Sequence, residues 1–348
     1  MTTSIEDKIH MKSFISFTSP RQSGRRRLLV FFITGNPGLI EYYRTFLTHL
    51  YAIVSRSTSL QGVDLHVFGQ SLGGFDTHQH EDAAHEDELP LGLEAQIQRV
   101  HHMLLDAVQS MRVSDGNSPV KVVLVGHSVG AYILLEILQR QQESRRQDKL
   151  QTQYVEIVGG ICLFPTVTHI AQSRSGTKFG FFFTIPHVAF LAASLVKALT
   201  FWIPPQLLTA LVSLVTQFPH GAAATTTAFI KSKWGIRQAL HMAKDEIATI
   251  TEDRWDEGLW GATVASSSPK TKLFFYFGEN DHWVGDRTRD ELIAARAYQT
   301  TRGDEWRPKM EIDQNGIPHG FCIKHSVPIA EKVKEYIVEI LRVEQVMH

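Results

Sequence analysis

Cysteine is nearly absent from this 348-residue chain, which has two, Cys162 and Cys322. Two thiols cannot build a disulfide framework, so the chain reads as intracellular, with both cysteines as buried free thiols. Net charge is scarce as well. Lys and Arg total 35 against 36 Asp and Glu, a formal charge of −1. That leaves out the basic face that neutralising nucleic-acid phosphates requires, so no nucleic-acid partner is expected. The opening segment MTTSIEDKIHMKSF lacks the apolar core and small-residue cleavage site of a secretory signal. Also missing is an uninterrupted apolar run of about 20 residues, the length a transmembrane helix needs. The nearest approach, residues 179–218, carries Lys197 as its only charge but is broken by Pro186, His187 and Pro204-Pro205.

What is present is a rhythm. LLVFFIT (28–34), VDLHVF (63–68), VKVVLVG (120–126), YVEIVGGICLFP (154–165), KLFFYFG (272–278) and the short PKMEI (308–312) are apolar runs of strand length. Between them, residues 41–54, 92–110, 129–141, 286–299 and 326–345 carry apolar side chains at helical spacing, such as Tyr43, Phe46, Leu47, Leu50 and Ile53. Strands alternating with helices predict an α/β fold, a mostly parallel sheet covered by helices on both faces. The length allows one large domain or two small ones. The rhythm breaks between about 166 and 270, too long a stretch for a loop. The expected organisation is a core in two parts, 1–165 and 271–348, with 166–270 inserted as a helical cap. Arg25, Arg26 and Arg27 read as a solvated strand entrance, with a contact for anionic lipid as the rarer alternative. The stretch DTHQHEDAAHEDELP (76–90) is polar and acidic. Its His78, His80 and His85 follow no regular metal-ligand spacing, so a solvated loop is expected there and no metal.

The chemistry centres on Gly126-His127-Ser128-Val129-Gly130, a G-x-S-x-G pentapeptide between a strand and an amphipathic helix. A serine alcohol attacks only when its oxygen is exposed and beside a base, which demands a sharp turn; glycines two residues either side relieve the crowding. The bland alternative is an ordinary N-cap serine. His127 adjoins Ser128 and should point away from its oxygen. On this architecture acid and base follow in the order Ser, Asp, His. Asp281 lies just past the strand 272–278, at the end where parallel sheets carry their sites, with Glu279 and Asp286 as rival acids. His319, in NGIPHGF before the last helix, is the expected base, with His282 and His325 as rivals. The oxyanion donors expected are the amides of Val129 and of Asn36, since Pro37 in the Gly-Asn-Pro-Gly loop has no N–H. A plain glycine-proline turn is the alternative for that loop. No metal or organic cofactor is called for by this set.

Taken together, GNPGLIEYYRTFL, GLEAQIQRV, GHSVGAY, LFPT, YFGENDHWV and IPHGF resemble the lipid droplet-associated hydrolases, a family within the α/β-hydrolase superfamily, over nearly the whole chain. The resemblance implies an α/β-hydrolase fold with Ser128 as nucleophile, Asp281 as acid and His319 as base. It also implies a lipid ester as substrate, of the sterol-ester or acylglycerol class, and a place on the cytosolic face of lipid droplets or the endoplasmic reticulum. The arms flanking Pro204-Pro205 fit a hairpin in a phospholipid monolayer, Lys197 snorkelling to its surface. An ordinary apolar lid over the core is the competing account. A non-catalytic droplet protein retaining the fold and a thioester hydrolase are the alternative functions.

Overall fold

Six consecutive apolar side chains, Leu28 to Ile33, are each at most 2 % exposed, because their strand is buried on both faces. Leu29, Phe31 and Ile33 point into one half of the core, Leu28, Val30 and Phe32 into the other. At ~1.5–3 kcal/mol per buried large apolar side chain, a charge anywhere in this run would destabilise the whole sheet. A computed structural model of the protein describes residues 14–19, 26–60, 62–75, 89–113, 120–146, 155–261, 271–298 and 306–346. Arg25, most of the acidic stretch and its three histidines lie outside the described residues.

In chain order the elements are β1 (Phe14–Thr18), β2 (Arg26–Ile33), α1 (Arg44–Ser55), β3 (Val63–Gln70), α2 (Leu93–Val113), β4 (Val120–His127), α3 (Val129–Arg146) and β5 (Val155–Leu163). There follow α4 (Arg174–Phe182), α5 (Val188–Thr200), α6 (Pro205–Thr216), α7 (His220–Lys231), α8 (Gly235–Thr249), β6 (Lys272–Phe277), α9 (Asp286–Arg296), β7 (Lys309–Ile312) and α10 (Ser326–Val346). The seven strands form one sheet in the order β1-β3-β2-β4-β5-β6-β7. Every pairing is parallel except β1 with β3. This is an α/β-hydrolase arrangement. Helices α1 and α10 bury Phe46, Leu47, Leu50, Ile329 and Val333 on one face. Helices α2, α3 and α9 bury residues such as Ile97, Ile133 and Leu292 on the other.

Each strand and helix expected in the core segments is present, with boundaries moved by a few residues. Strand β1 has no counterpart in the sequence reading. Only Ile15 of its five residues is fully buried, with Phe17 half-buried two residues on, so the apolar pattern is too short to mark a strand, and its backbone hydrogen bonds to β3 hold it. Between β5 and β6 the described residues form five helices, α4 to α8. Of these, α8 contributes Met242 to the main core, and Trp255 and Trp260 just after it join the same cluster.

Candidate active site

The parallel register aligns the C-terminal ends of the central strands. Ile33 lies opposite Gly126, Gly126 opposite Cys162, and His127 opposite Leu163. Leu163 in turn lies opposite Tyr276, and Phe277 opposite Ile312. The segments leaving β2, β4, β6 and β7 therefore converge at one edge of the sheet, where α/β folds carry their sites. Ser128 follows β4 directly and has φ 54°, a left-handed conformation that L side chains seldom adopt. The turn explains its flanking glycines. A Cβ at Gly126 would lie 2.3 Å from the Gly130 carbonyl oxygen, and one at Gly130 would lie 2.5 Å from the Ile33 carbonyl oxygen.

The structure brings Ser128, His319 and Asp281 together across 191 and 38 residues of chain. The Ser128 hydroxyl lies 2.9 Å from His319 Nε2, and His319 Nδ1 lies 2.7 Å from Asp281 Oδ2. Because a carboxylate only accepts, Nδ1 carries the proton and Nε2 is left to accept from the serine. Asp281 Oδ1 accepts from the Trp283 N–H at 2.8 Å. Burial pushes the Asp281 carboxyl up, but His319 and the Trp283 amide outweigh it and hold it below the usual carboxylate range. The rival acids are turned elsewhere. Glu279 is exposed, and Asp286 pairs with Arg289 at 3.0 Å. The His282 ring is 5.8 Å from the His319 ring without a hydrogen bond to Ser128 among the described residues. His325 stands at the entrance to α10, its buried Nδ1 without a partner.

Val129 opens α3, so its N–H has no intrahelical acceptor and stays available beside the serine. Asn36 follows β2 in the facing loop, and its side chain has a role that the sequence did not disclose. Its Nδ2 donates to the Ala239 carbonyl at 3.0 Å and to Glu246 Oε1 at 2.8 Å, both on α8. Burial raises the Glu246 carboxyl to about 8, against the opposing effect of the Asn36 hydrogen bond. A neutral carboxyl thus ties the loop after β2 to the inserted helices. An acidic residue in a helical stretch, next to Asp245, carries no mark of this in the sequence.

His127 turns from the serine oxygen and is fully committed elsewhere. Its Nε2 donates to the His319 carbonyl at 2.9 Å, so its Nδ1 accepts from the Tyr43 hydroxyl at 2.7 Å. That hydroxyl in turn accepts from the Gly35 N–H at 3.2 Å. Desolvation, reinforced by the neighbouring His319, lowers the His127 imidazole to about 3, so it remains neutral. A buried relay of three hydrogen bonds thereby links the loop before Asn36 to the backbone of His319. In the sequence Tyr43 is one apolar position in a helical pattern, and nothing in that periodicity marks its hydroxyl.

The inserted helices contact the loops at this edge. Ser128 and His319 are 7 % and 9 % exposed. Besides the Asn36 contacts, Tyr42 shares a 2.8 Å hydrogen bond with Thr226 of α7, and Gln238 of α8 both donates to and accepts from the Leu91 backbone. Helices α5 and α6 face outward and meet at a 115° bend, Pro205 forming the first residue of α6. No single helix among the described residues is long and apolar enough to cross a membrane. Phe181, Phe190, Leu195, Leu199, Phe201, Trp202, Leu214 and Val215 are exposed, Trp202 to 87 %. Lys197 donates to the Lys233 carbonyl. Among the described residues no group of three or more His, Cys, Asp or Glu could hold a metal ion.

The fold is shared with solved hydrolases. A peroxisomal alpha-beta-hydrolase of Saccharomyces cerevisiae aligns over 94 % of this chain and 82 % of its own at 13 % identity, with a TM-score of 0.57. An epoxide hydrolase of Vigna radiata aligns over 94 % of both chains at 15 % identity, with a TM-score of 0.55. In sequence, the Gallus gallus protein named lipid droplet-associated hydrolase is 24 % identical over 89 % of this chain and 85 % of its own. The Drosophila melanogaster protein of the same name is 25 % identical over 90 % of each. The model of the family described as lipid-droplet associated hydrolase matches residues 26–322. The chain therefore belongs to the lipid-droplet associated hydrolase family, hydrolases built on the α/β-hydrolase fold.

Proposed function

We propose that the protein is a serine ester hydrolase acting on lipid esters, of the sterol-ester or acylglycerol class, at the surface of lipid droplets. The observation that carries this reading is the hydrogen-bonded series Ser128–His319–Asp281, at 2.9 and 2.7 Å. In it the serine hydroxyl meets an unprotonated ring nitrogen whose tautomer is held by a buried carboxylate. Ser128 Oγ attacks the ester carbonyl while His319 Nε2 takes its proton. Asp281 stabilises the imidazolium, and the Val129 and Asn36 amides receive the oxyanion. His319 then returns the proton to the departing alcohol, leaving an acyl-serine. Water, deprotonated by the same imidazole, releases the fatty acid and restores the serine. No step requires a metal or cofactor.

The segment 166–270 acts as a cap over the serine, and its outer helices α5 and α6 dock on lipid. Support for docking comes from the row of exposed Phe, Leu and Trp side chains on a hairpin too short to span and from the names of the relatives. Ser128 is buried, and in this reading the cap moves to let an ester reach it, with lipid contact at its outer face as the trigger.

A fluorophosphonate probe tests the enzyme reading. Wild type should label in the presence of a lipid emulsion and Ser128→Ala should not. Folded wild-type protein that stays unlabelled on lipid would overturn the reading in favour of a non-catalytic surface protein. A panel of sterol, glyceryl and short-chain esters, with Ser128→Ala as blank, then assigns the substrate class. Deleting 181–218 should abolish droplet targeting in cells, and unchanged localisation would eliminate the anchor.

A further inference from the structure

Between Glu156 and Asp245 the chain contains no acidic residue. The same stretch holds seven basic ones: Arg174, Lys178, Lys197, Lys231, Lys233, Arg237 and Lys244. Since the whole chain carries 35 basic and 36 acidic side chains, the rest of the molecule holds 28 against 36. A nearly neutral protein is thus divided into a purely cationic stretch, which holds α4 to α7 and most of α8, and an acidic remainder, the body.

Four of the seven gather beside the apolar outer face. Lys231 caps the C-terminal end of α5, its Nζ 2.5 Å from the Thr200 carbonyl and 3.3 Å from that of Phe201. Lys197, one turn earlier, reaches the Lys233 carbonyl. The Arg237 guanidinium stands 5.1 Å from the Trp234 ring and 5.7 Å from that of Phe190, and Lys233 Nζ lies 5.7 Å from Trp234. Among the described residues Lys197, Lys231 and Arg237 form no ion pair with a carboxylate. Their apolar neighbours Phe190, Phe201 and Trp202 are the exposed rings of the hairpin. Cations held by carbonyls and rings just behind exposed apolar tips match the order of a lipid surface, headgroup phosphate outside and acyl chains within.

We infer that the cap recognises anionic phospholipid headgroups, the basic collar Lys197, Lys231, Lys233 and Arg237 engaging them while the α5–α6 hairpin enters the acyl layer. This rests on the lipid-docking reading of the cap and adds a charge requirement to it. The acidic body is repelled by the same surface, so the field also turns the molecule cap-first.

Flotation with vesicles tests the two separately. Wild type should bind phosphatidylcholine vesicles through the hairpin alone, and bind more tightly when part of the phosphatidylcholine is replaced by phosphatidylserine. That gain should disappear near ~1 M salt, where the screening length falls to about 3 Å. Lys233→Gln/Arg237→Gln should lose affinity for the phosphatidylserine vesicles about 25-fold, roughly fivefold per charge, with binding to phosphatidylcholine unchanged. Lys324→Gln/Lys334→Gln, which removes the same net charge from the body, should behave as wild type. Equal wild-type binding to both vesicles, or an equal loss in both double variants, overturns the inference. Absence of binding to either vesicle defeats the docking reading itself. Should the cap variant melt early by circular dichroism, the salt titration of wild type decides alone.

Discussion

Replacing Tyr43 by Phe removes one oxygen and leaves the ring packing of a 3 %-exposed side chain intact. That oxygen serves two buried partners. It accepts from the Gly35 N–H and donates to His127 Nδ1. Both are left without a partner in a place water reaches poorly, and each orphaned group costs about 1–3 kcal/mol. A loss of ~2–6 kcal/mol is therefore expected. With an unfolding entropy of ~2.1 cal/mol/K per residue, a chain of this length loses about 1.4 °C per kcal/mol, so Tm should fall by roughly 3–8 °C. The chemistry should suffer too, because His127 holds the His319 carbonyl at 2.9 Å and a loosened imidazole lets the His319 loop shift. The rate of fluorophosphonate labelling of Ser128 should fall about tenfold, the equivalent of ~1.4 kcal/mol in the barrier. Circular dichroism melts and a labelling time course read the two effects on one sample. A Tm within ~1 °C of wild type together with an unchanged labelling rate would show that the relay neither stabilises nor positions anything.

Two further predictions follow from buried groups around the site. The Glu246 carboxyl, raised from 4.5 to about 8 in the folded protein, binds a proton over that range that the unfolded chain has already released. Its contribution to stability is thus fully present below pH 4.5 and is lost as pH rises towards 8. Glu246→Gln keeps an oxygen for Asn36 but cannot ionise, so its Tm relative to wild type should rise from pH 5 to pH 8; a constant difference across that range would refute the assignment. Gly126→Ala puts a Cβ 2.3 Å from the Gly130 carbonyl oxygen, backbone that cannot move without opening the elbow. The variant should lose both labelling and several degrees of Tm, whereas normal labelling would mean that the turn has slack.

The sheet and the pentapeptide were legible in the sequence because their causes are local. A strand buried on both faces must be apolar throughout, as Leu28 to Ile33 are, and a serine at φ 54° needs glycines two residues away on either side. The positions of Asp281 and His319 after later strands were legible for a related reason, since parallel strands deliver their C-terminal loops to one edge. Strand β1 was not, because its alternation is only two inward residues long, Ile15 and Phe17, and backbone pairing to β3 holds the rest. Which carboxylate meets His319 was settled only by how the loop after β6 folds. Tyr43 and His127 lie 84 residues apart, and Asn36 and Glu246 lie 210 apart. Hydroxyls, amides and carboxyls of this kind take their meaning from what desolvates them and what they can then reach. Sequence pattern records where a residue is buried, but the partner that makes a buried polar group tolerable is chosen by tertiary packing.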